Sequence, residues 1–398
     1  LHGSEHSFPT RRSSDLWLKA KGTTLGADDG IGIAMEMALL KANDIEHGPI
    51  ECVFTRDEET GLTGAFEMKP GFMTGDYLIN LDSEDEGQLF VSCAGGVRTE
   101  ATYTVDEEKL PEGFSTFNLV VKGLTGGHSG DDINKKRANA NKLLVRFLWE
   151  QSEKTDLRLC DIQAGGLHNA IPREAHATVA VPTTYVATFG EELQAFVEKV
   201  RDEFSATEPE LTAVIEPVAA APTCICKEQA ERLLKSLSVV HNGIFAMSQD
   251  LEGLVETSSN LASVRKHGNQ IVATTSQRSS VASNLEYMAS VVRSAFELGG
   301  AKCVTNEGYP GWKMNPKSEI LKVCVDSYKR LFGKEPLVRA IHAGLECGLF
   351  SEKYPHLDMV SFGPTLRGVH SPDERLLIPT VQMVWDHLLD VLKNVPEK

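Results

Sequence analysis

GADDGIGIAMEMALLKANDIEHGPIECVFTRDEE, residues 26–59, decides the architecture of this chain. Ile31, Met35, Ala38 and Leu39 recur at helical spacing behind the acidic pair Asp28-Asp29, so the pattern predicts an amphipathic helix over residues 28–42. His47-Gly48-Pro49 is a turn, and residues 50–55 form a short apolar run of strand character that ends in Arg56-Asp57-Glu58-Glu59. The same grammar recurs twice. Residues 77–81 run into Asp82-Ser83-Glu84, and residues 359–362 lead through Gly363-Pro364 to His370-Ser371-Pro372-Asp373-Glu374. Short apolar strands alternating with helices predict an α/β fold with a mostly parallel sheet. Ligands of such sheets gather beyond the carboxyl ends of the strands, and here several distant segments aim acids or a histidine at one rim.

Outward from these segments the character changes. Residues 117–121 are strand-like, GLTGGHSG follows at 123–130, and residues 138–151 read as a helix; 260–274 read as strands and 284–298 as a helix. This is an α+β insertion, after which helices at 318–332 and 380–391 return to the first domain. The opening LHGSEHSFPTRRSSDL is polar, aperiodic and without the apolar core of a signal peptide. Residues 6–16 back-translate to a sequencing adapter, so residues 1–16 are expected to be a non-native tail.

With 398 residues there is room for two domains. Lys+Arg 40 against Asp+Glu 56 gives a net charge of −16, which supplies no basic stripe for nucleic acid or an anionic membrane. No apolar run approaches the ~20 residues of a membrane span. The cysteines, at 52, 93, 160, 224, 226, 303, 324 and 347, include no Cys-x-x-Cys pair, which predicts free thiols in a reducing cytoplasm.

Asp28, Glu58, Glu59, Asp82 and His370 offer oxygen and nitrogen donors without thiolate, a set suited to zinc, manganese or cobalt in a hydrolytic centre. Two ions ~3.5–4 Å apart need one bridging carboxylate, and a further unligated carboxylate must move the water's proton. Glu58 and Glu59 could divide those duties. Plainer readings compete: Asp28-Asp29 complementing a helix N-terminus, DSEDE as a solvated loop, and the histidine of HSPDE as structural. GLTGGHSG lacks the Gly-Lys-Ser/Thr of a phosphate loop; it reads as a glycine turn exposing His128, either to a developing oxyanion or merely to water.

Taken together, TTLGADDGIGIAMEMALL, TRDEETGLTGAF, INLDSEDEG, KGLTGGHSG, NAIPREA, GYPGW, IHAGLECGLF and GPTLRGVHSPDE resemble the aminoacyl-histidine dipeptidase (cytosol non-specific dipeptidase) family of co-catalytic zinc peptidases, within the aminoacylase and carboxypeptidase group. The resemblance runs from about Trp17 to the C-terminus. It implies a zinc-peptidase-like α/β/α catalytic domain at residues 17–98 and 303–398, interrupted by a lid at 99–302. It implies metal-dependent hydrolysis of unblocked dipeptides, Xaa-His included, by a water between two divalent ions, most simply Zn2+, with Mn2+ or Co2+ as substitutes. Asp28 would bridge the ions, in a turn that in the family often contains a cis peptide. Glu59 and His370 would hold one ion and Asp82 the other, with Glu58 as general base. His128 would come from the lid to polarise the scissile carbonyl. Asn169, Arg173 and Glu346 would contact substrate, Arg173 by a bidentate grip on the C-terminal carboxylate unless it serves a surface salt bridge. A cytoplasmic homodimer joined through the lid is implied as well. The family's upstream His-x-Asp has no counterpart before Gly26, which predicts an N-terminally shortened, largely inactive chain with one metal site incomplete. A related N-acyl amino-acid deacylase or tripeptidase, and a non-catalytic lid-mediated dimerisation module, are the rival readings.

Overall fold

The computed structural model describes residues 11–14, 16–249 and 251–396. The chain divides into two compact units, one of Leu1–Cys93, Gly311–Ile341 and Leu345–Lys398, the other of Ala94–Pro310 and His342–Gly344.

The first unit is built on a four-stranded sheet in the order Leu337–Ile341, Gln88–Cys93, Asp358–Ser361, Tyr77–Asn80. The outer pairs are parallel, and the two central strands meet antiparallel at Ser361 and Phe90 alone, so the sheet is mostly parallel, as expected, with one antiparallel junction. Helix Glu319–Phe332 lies on strand Asp358–Ser361 and on helix Ile378–Asn394. Its start is fixed twice: the Ser318 hydroxyl accepts from Leu321 N at 3.0 Å, and the Asp358 carboxylate accepts from Glu319 N and Ile320 N at 2.7 and 3.1 Å. Gly333, at φ +67°, ends it in the left-handed conformation a glycine adopts freely.

The helix expected at 28–42 spans Ala27–Lys41. It buries Met35 and Leu39 and half-buries Ile31, but Ala38 is exposed, together with Ile33, Met37 and Leu40. Residues 50–55 form no strand. No described strand pairs with them, and side-chain bonds hold them instead. Glu51 accepts from Thr74 N and Oγ1 at 2.8 and 2.5 Å, and Thr55 Oγ1 donates to Glu346 at 2.9 Å. Residues 1–10 and 15 of the expected tail lie outside the described residues. Arg11–Ser14, placed in that tail by composition, pairs antiparallel with Trp17–Lys19. That strand pairs in turn with Arg375–Leu377, which pairs with Leu366–Arg367.

The second unit carries a nine-stranded antiparallel sheet in the order Thr212–Pro217, Phe114–Lys122, Ala175–Pro182, Arg158–Gly165, Val255–His267, Gln270–Ser279, Gly95–Thr104, Lys302–Thr305, with Gly243–Met247 joined to Val255–His267. Helices Ala140–Ser152, Val186–Glu203, Lys227–Val239 and Ala282–Leu298 share one apolar core with it. Phe147 touches Phe189 and Phe196 there at centroid distances of 5.5 and 5.2 Å. Burying one such side chain contributes about 1.5–3 kcal/mol. No helix among the described residues is long and apolar enough to cross a membrane, and all eight cysteines are free thiols.

Candidate active site

Asp28 stands where helix Ala27–Lys41 begins. Gly26 takes a left-handed φ of +71°, the Asp28-Asp29 peptide is cis, and both aspartates leave helical geometry. Asp29 turns back into the helix, its carboxylate accepting from Gly32 N at 3.0 Å. Position 32 must be glycine for this: a Cβ there would lie 2.3 Å from Asp29 Oδ2.

Glu58 and Glu59 open the short helix Glu58–Gly61, bracketed by Asp57 and Leu62 at φ +54° and +59°. Helix Glu346–Lys353 grips this stretch from both sides. Glu346 receives Thr55, while Lys353 Nζ donates to the carbonyls of Ala65, Phe66 and Met68 at 2.7, 2.5 and 2.8 Å. Asp82 follows strand Tyr77–Asn80, where Asn80 Oδ1 accepts from both Asp82 N (3.2 Å) and Ser361 Oγ (2.6 Å). His370 sits at φ +59° on the connection between Leu366–Arg367 and Arg375–Leu377.

These segments converge. His370 Nε2 lies 2.7 Å from Glu59 Oε2 and 3.2 Å from Asp28 Oδ2, and one donor atom from each of the three lies within 4.8 Å of the others. Asp82 is hydrogen-bonded to Asp28, and Glu58 feels the charges of Glu59, Glu346 and Asp28. Burial first, then these neighbours, pushes the Glu58 carboxyl up to about 7. Burial and the Asp29, Asp28 and Glu58 charges lift Asp82 well above the carboxylate range. Burial and Asp28 raise Glu59. Among the described residues no lysine or arginine forms an ion pair with Asp28, Glu58, Glu59, Asp82 or Glu346. Buried Cys93 and Cys347 nearby are pushed up by desolvation, Cys93 to about 11, and stay protonated. An oxygen-rich donor set with one imidazole, crowded by like charge and lacking thiolate, fits divalent cations.

The remaining expected residues divide between the units. Glu346 is 7% exposed in the first unit, with Oε1 unpartnered and its carboxyl raised by burial. His128, Asn169 and Arg173 belong to the second. Strand Gly127–His128 pairs with Ala170–Ile171, and Ser129 N donates to Asn169 O at 2.8 Å. His128 Nδ1 lies 3.3 and 3.2 Å from Gly130 N and Asp131 N and 3.4 Å from Asp131 Oδ2. The glycine turn has a packing cause as well: a Cβ at Gly130 would lie 2.2 Å from His342 O. Arg173 is exposed, its Nε donating to Leu124 O at 3.1 Å.

Sequence reasoning passed over four polar groups. Asp29, beside Asp28, is raised to about 7 by burial and the surrounding acids. Glu374 is 2% exposed and receives backbone amides of residues 26–28. Arg278 is 7% exposed, donating to Tyr309 OH at 2.7 Å with its Nε unpartnered. His342, bonded through Nε2 to Ser258 Oγ at 2.7 Å, has Nδ1 unpartnered and is pulled down to about 3 by burial and then by Arg278. A signal existed for Arg278: TSQRS at 275–279 is a polar run inside a strand, and it is buried, as is TSSN at 257–260, which holds the His342 partner Ser258.

Comparison with known proteins gives the same direction. Over 382 residues the chain is 42% identical to the cytosol non-specific dipeptidase of Escherichia coli (strain K12), covering 96% of this chain and 79% of that protein. The crystal structure of aminoacylhistidine dipeptidase from Vibrio alginolyticus superposes with a TM-score of 0.93 at 42% identity, over 98% of this chain and 80% of that one. The aminopeptidase PepT of Bacillus cereus, at 15% identity and a TM-score of 0.54 over 97% of this chain and 76% of that one, shares the fold. The model of peptidase family M20/M25/M40 matches residues 17–394, and the chain belongs to that family.

Proposed function

We propose that the chain is a metal-dependent dipeptidase that hydrolyses unblocked dipeptides, Xaa-His among them. The observation that carries this is the meeting of Asp28, Glu59 and His370 beside a Glu58 carboxyl poised at about 7, in a chain 42% identical to a non-specific dipeptidase. Glu59 and His370 would hold one divalent ion, Asp82 the other, and Asp28 both; zinc suits these donors best, with manganese or cobalt as substitutes. When bound, the ions supply Lewis-acid polarisation and acidify water.

The chain's own groups do the rest. Glu58, with an affinity for protons matched to neutral pH, takes the proton of the attacking water and returns it to the leaving amine. His128 would donate to the oxygen of the scissile carbonyl as charge develops there. The acidic surroundings of Asp82, Glu84 and Glu346 suit a substrate's free ammonium, which an N-acyl substrate lacks. Asn169 and Arg173 remain candidates for the substrate's other end. Arg278, less exposed and with a free Nε, is the better-prepared carboxylate partner. The relative's cytosolic name and the eight free thiols support a cytoplasmic setting. Exposed Ile244, Phe245 and Met247 on edge strand Gly243–Met247, with Tyr287 meeting Phe245 edge-on, support a homodimer through the second unit.

The test is hydrolysis of β-alanyl-histidine, other free dipeptides and their N-acetyl forms in Zn2+ or Mn2+, with Glu58→Gln alongside. Cleavage confined to free dipeptides and abolished by Glu58→Gln is expected. Preference for the acetylated forms would favour a deacylase, and unchanged turnover in Glu58→Gln would remove Glu58 from the chemistry.

A further inference from the structure

Two residues of the cation cluster come from opposite ends of the chain, and one buried side chain ties their segments together. Glu374 Oε2 accepts from Gly26 N at 2.9 Å, and Oε1 accepts from Ala27 N at 2.7 Å and Asp28 N at 3.3 Å. The carboxylate is 2% exposed, and among the described residues no lysine, arginine or histidine pairs with it. A buried carboxylate satisfied by backbone amides alone fixes the direction of those amides, because its charge has nowhere else to go. The amides it fixes belong to the turn that presents Asp28.

Glu374 lies four residues beyond His370 on a connection braced at several points. Ser371 Oγ donates to Gly368 O at 2.6 Å, Asp373 N donates to Ser371 Oγ at 3.2 Å, and Glu374 N donates to Ser371 O at 3.1 Å. Lys19 Nζ holds Asp373 at 2.6 Å. Within this brace His370 keeps a φ of +59°, a region a non-glycine residue occupies only when its surroundings impose it. The two segments are thus locked at a single joint, with His370 Nε2 delivered 3.2 Å from Asp28 Oδ2.

We propose that Glu374 is a positioning residue for the cation centre: it fixes Asp28 against His370, so that both reach one ion without reorganisation against the repulsion of the neighbouring acids. This rests on the reading of Asp28 and His370 as ligands of the same ion. Outer groups that orient metal ligands typically change metal affinity about 10–100-fold when altered, and Glu374 is expected to fall in that range.

The experiment compares the unmodified protein with Glu374→Gln, Glu374→Asp and His370→Ala. Zn2+ affinity is read by competition with a chromophoric chelator, and thermal unfolding is read in EDTA. Glu374→Gln replaces one acceptor oxygen by an NH2 group facing an amide donor. It is expected to weaken Zn2+ binding about 10–100-fold in protein that remains folded at the assay temperature. Glu374→Asp keeps the charge but is one methylene short of spanning Gly26 and Ala27, and should weaken binding in the same direction. If Glu374→Gln does not fold, the Asp variant decides. A lower melting temperature with Zn2+ affinity unchanged within twofold in the folded fraction overturns the proposal and leaves Glu374 merely structural. If the unmodified protein binds Zn2+ no better than His370→Ala, the cation-centre reading itself has failed, which is a different result.

Discussion

Replacing Glu58 by glutamine should make the metal-free protein more stable while destroying its activity, and the stabilisation should depend on pH. The carboxyl is raised from 4.5 to about 7 by burial and by Glu59, Glu346 and Asp28. Its ionised form is therefore worse accommodated in the folded chain than in the unfolded one. Below about pH 4.5 both states hold the proton and Glu58 contributes nothing. Between 4.5 and 7 the unfolded chain releases the proton first, and the folded state loses ground. Above 7 the whole penalty is present. A shift from 4.5 to about 7 corresponds to about 3 kcal/mol. Glutamine, close in shape and uncharged, removes that penalty. The Gln-minus-Glu difference in unfolding free energy should therefore be near zero at pH 4.5 and climb to about 3 kcal/mol at pH 8. For a unit of this size that is roughly 6–12 °C in melting temperature. The assay is thermal or urea unfolding of both proteins in EDTA across that range. Taking the difference cancels the titrations of groups that do not feel Glu58, including that of His342, whose lowered value acts with the opposite sign. A difference independent of pH, or a destabilised Gln variant at pH 8, refutes the electrostatic account of Glu58.

Three further outcomes follow from single contacts. Lys353→Met removes the donor to the carbonyls of Ala65, Phe66 and Met68; it should cost about 2 kcal/mol by urea unfolding and lower kcat, since the freed stretch begins at Glu58-Glu59, and an unchanged denaturation midpoint counts against the clamp. Gly32→Ala places a methyl 2.3–2.8 Å from the Asp29 carboxylate and should destabilise by about 1–3 kcal/mol; a neutral result in differential scanning calorimetry would mean that Asp29 is free to move aside. Arg278→Lys should raise KM for free dipeptides about tenfold with a smaller change in kcat, the signature of lost ground-state binding; an unaltered KM removes Arg278 from substrate recognition.

The acids and the histidine were legible because they end short apolar segments, a pattern that survives without knowing the pairing. The pairing itself was not. Strand Leu337–Ile341 and the antiparallel meeting of Ser361 with Phe90 depend on contacts across more than two hundred residues. The run at 50–55 looks as much like a strand as 77–81 does. One forms a ladder and the other does not, because a strand needs a neighbour and periodicity does not supply one. Glu374 was quoted within its motif and given no duty: an acid next to an acid reads as solvated until the backbone amides of residues 26–28 are seen to point at it. Arg278 was hidden for the opposite reason, since a polar strand suggests exposure and its strand is buried.

The raised acids also determine how the centre should respond to protons and cations together. Glu59 and Asp82 both sit above their ordinary values because like charge and burial oppose their ionisation. A divalent ion relieves that opposition, and so does a proton. The two are competitors for the same negative charge, and a cation must displace whatever protons the ligands hold. Binding Zn2+ or Mn2+ should therefore release protons from this centre at a pH above the range in which ordinary surface carboxylates still hold them. Affinity should accordingly rise with pH while the ligands still hold protons and flatten once they have lost them. Titration calorimetry across the acidic to neutral range, in buffers of different ionisation enthalpy, counts the protons directly. A count no larger than that of ordinary surface carboxylates at every pH would show that Glu59 and Asp82 are not raised in the metal-free protein, and the account of protons competing with cations for this centre would have to be abandoned.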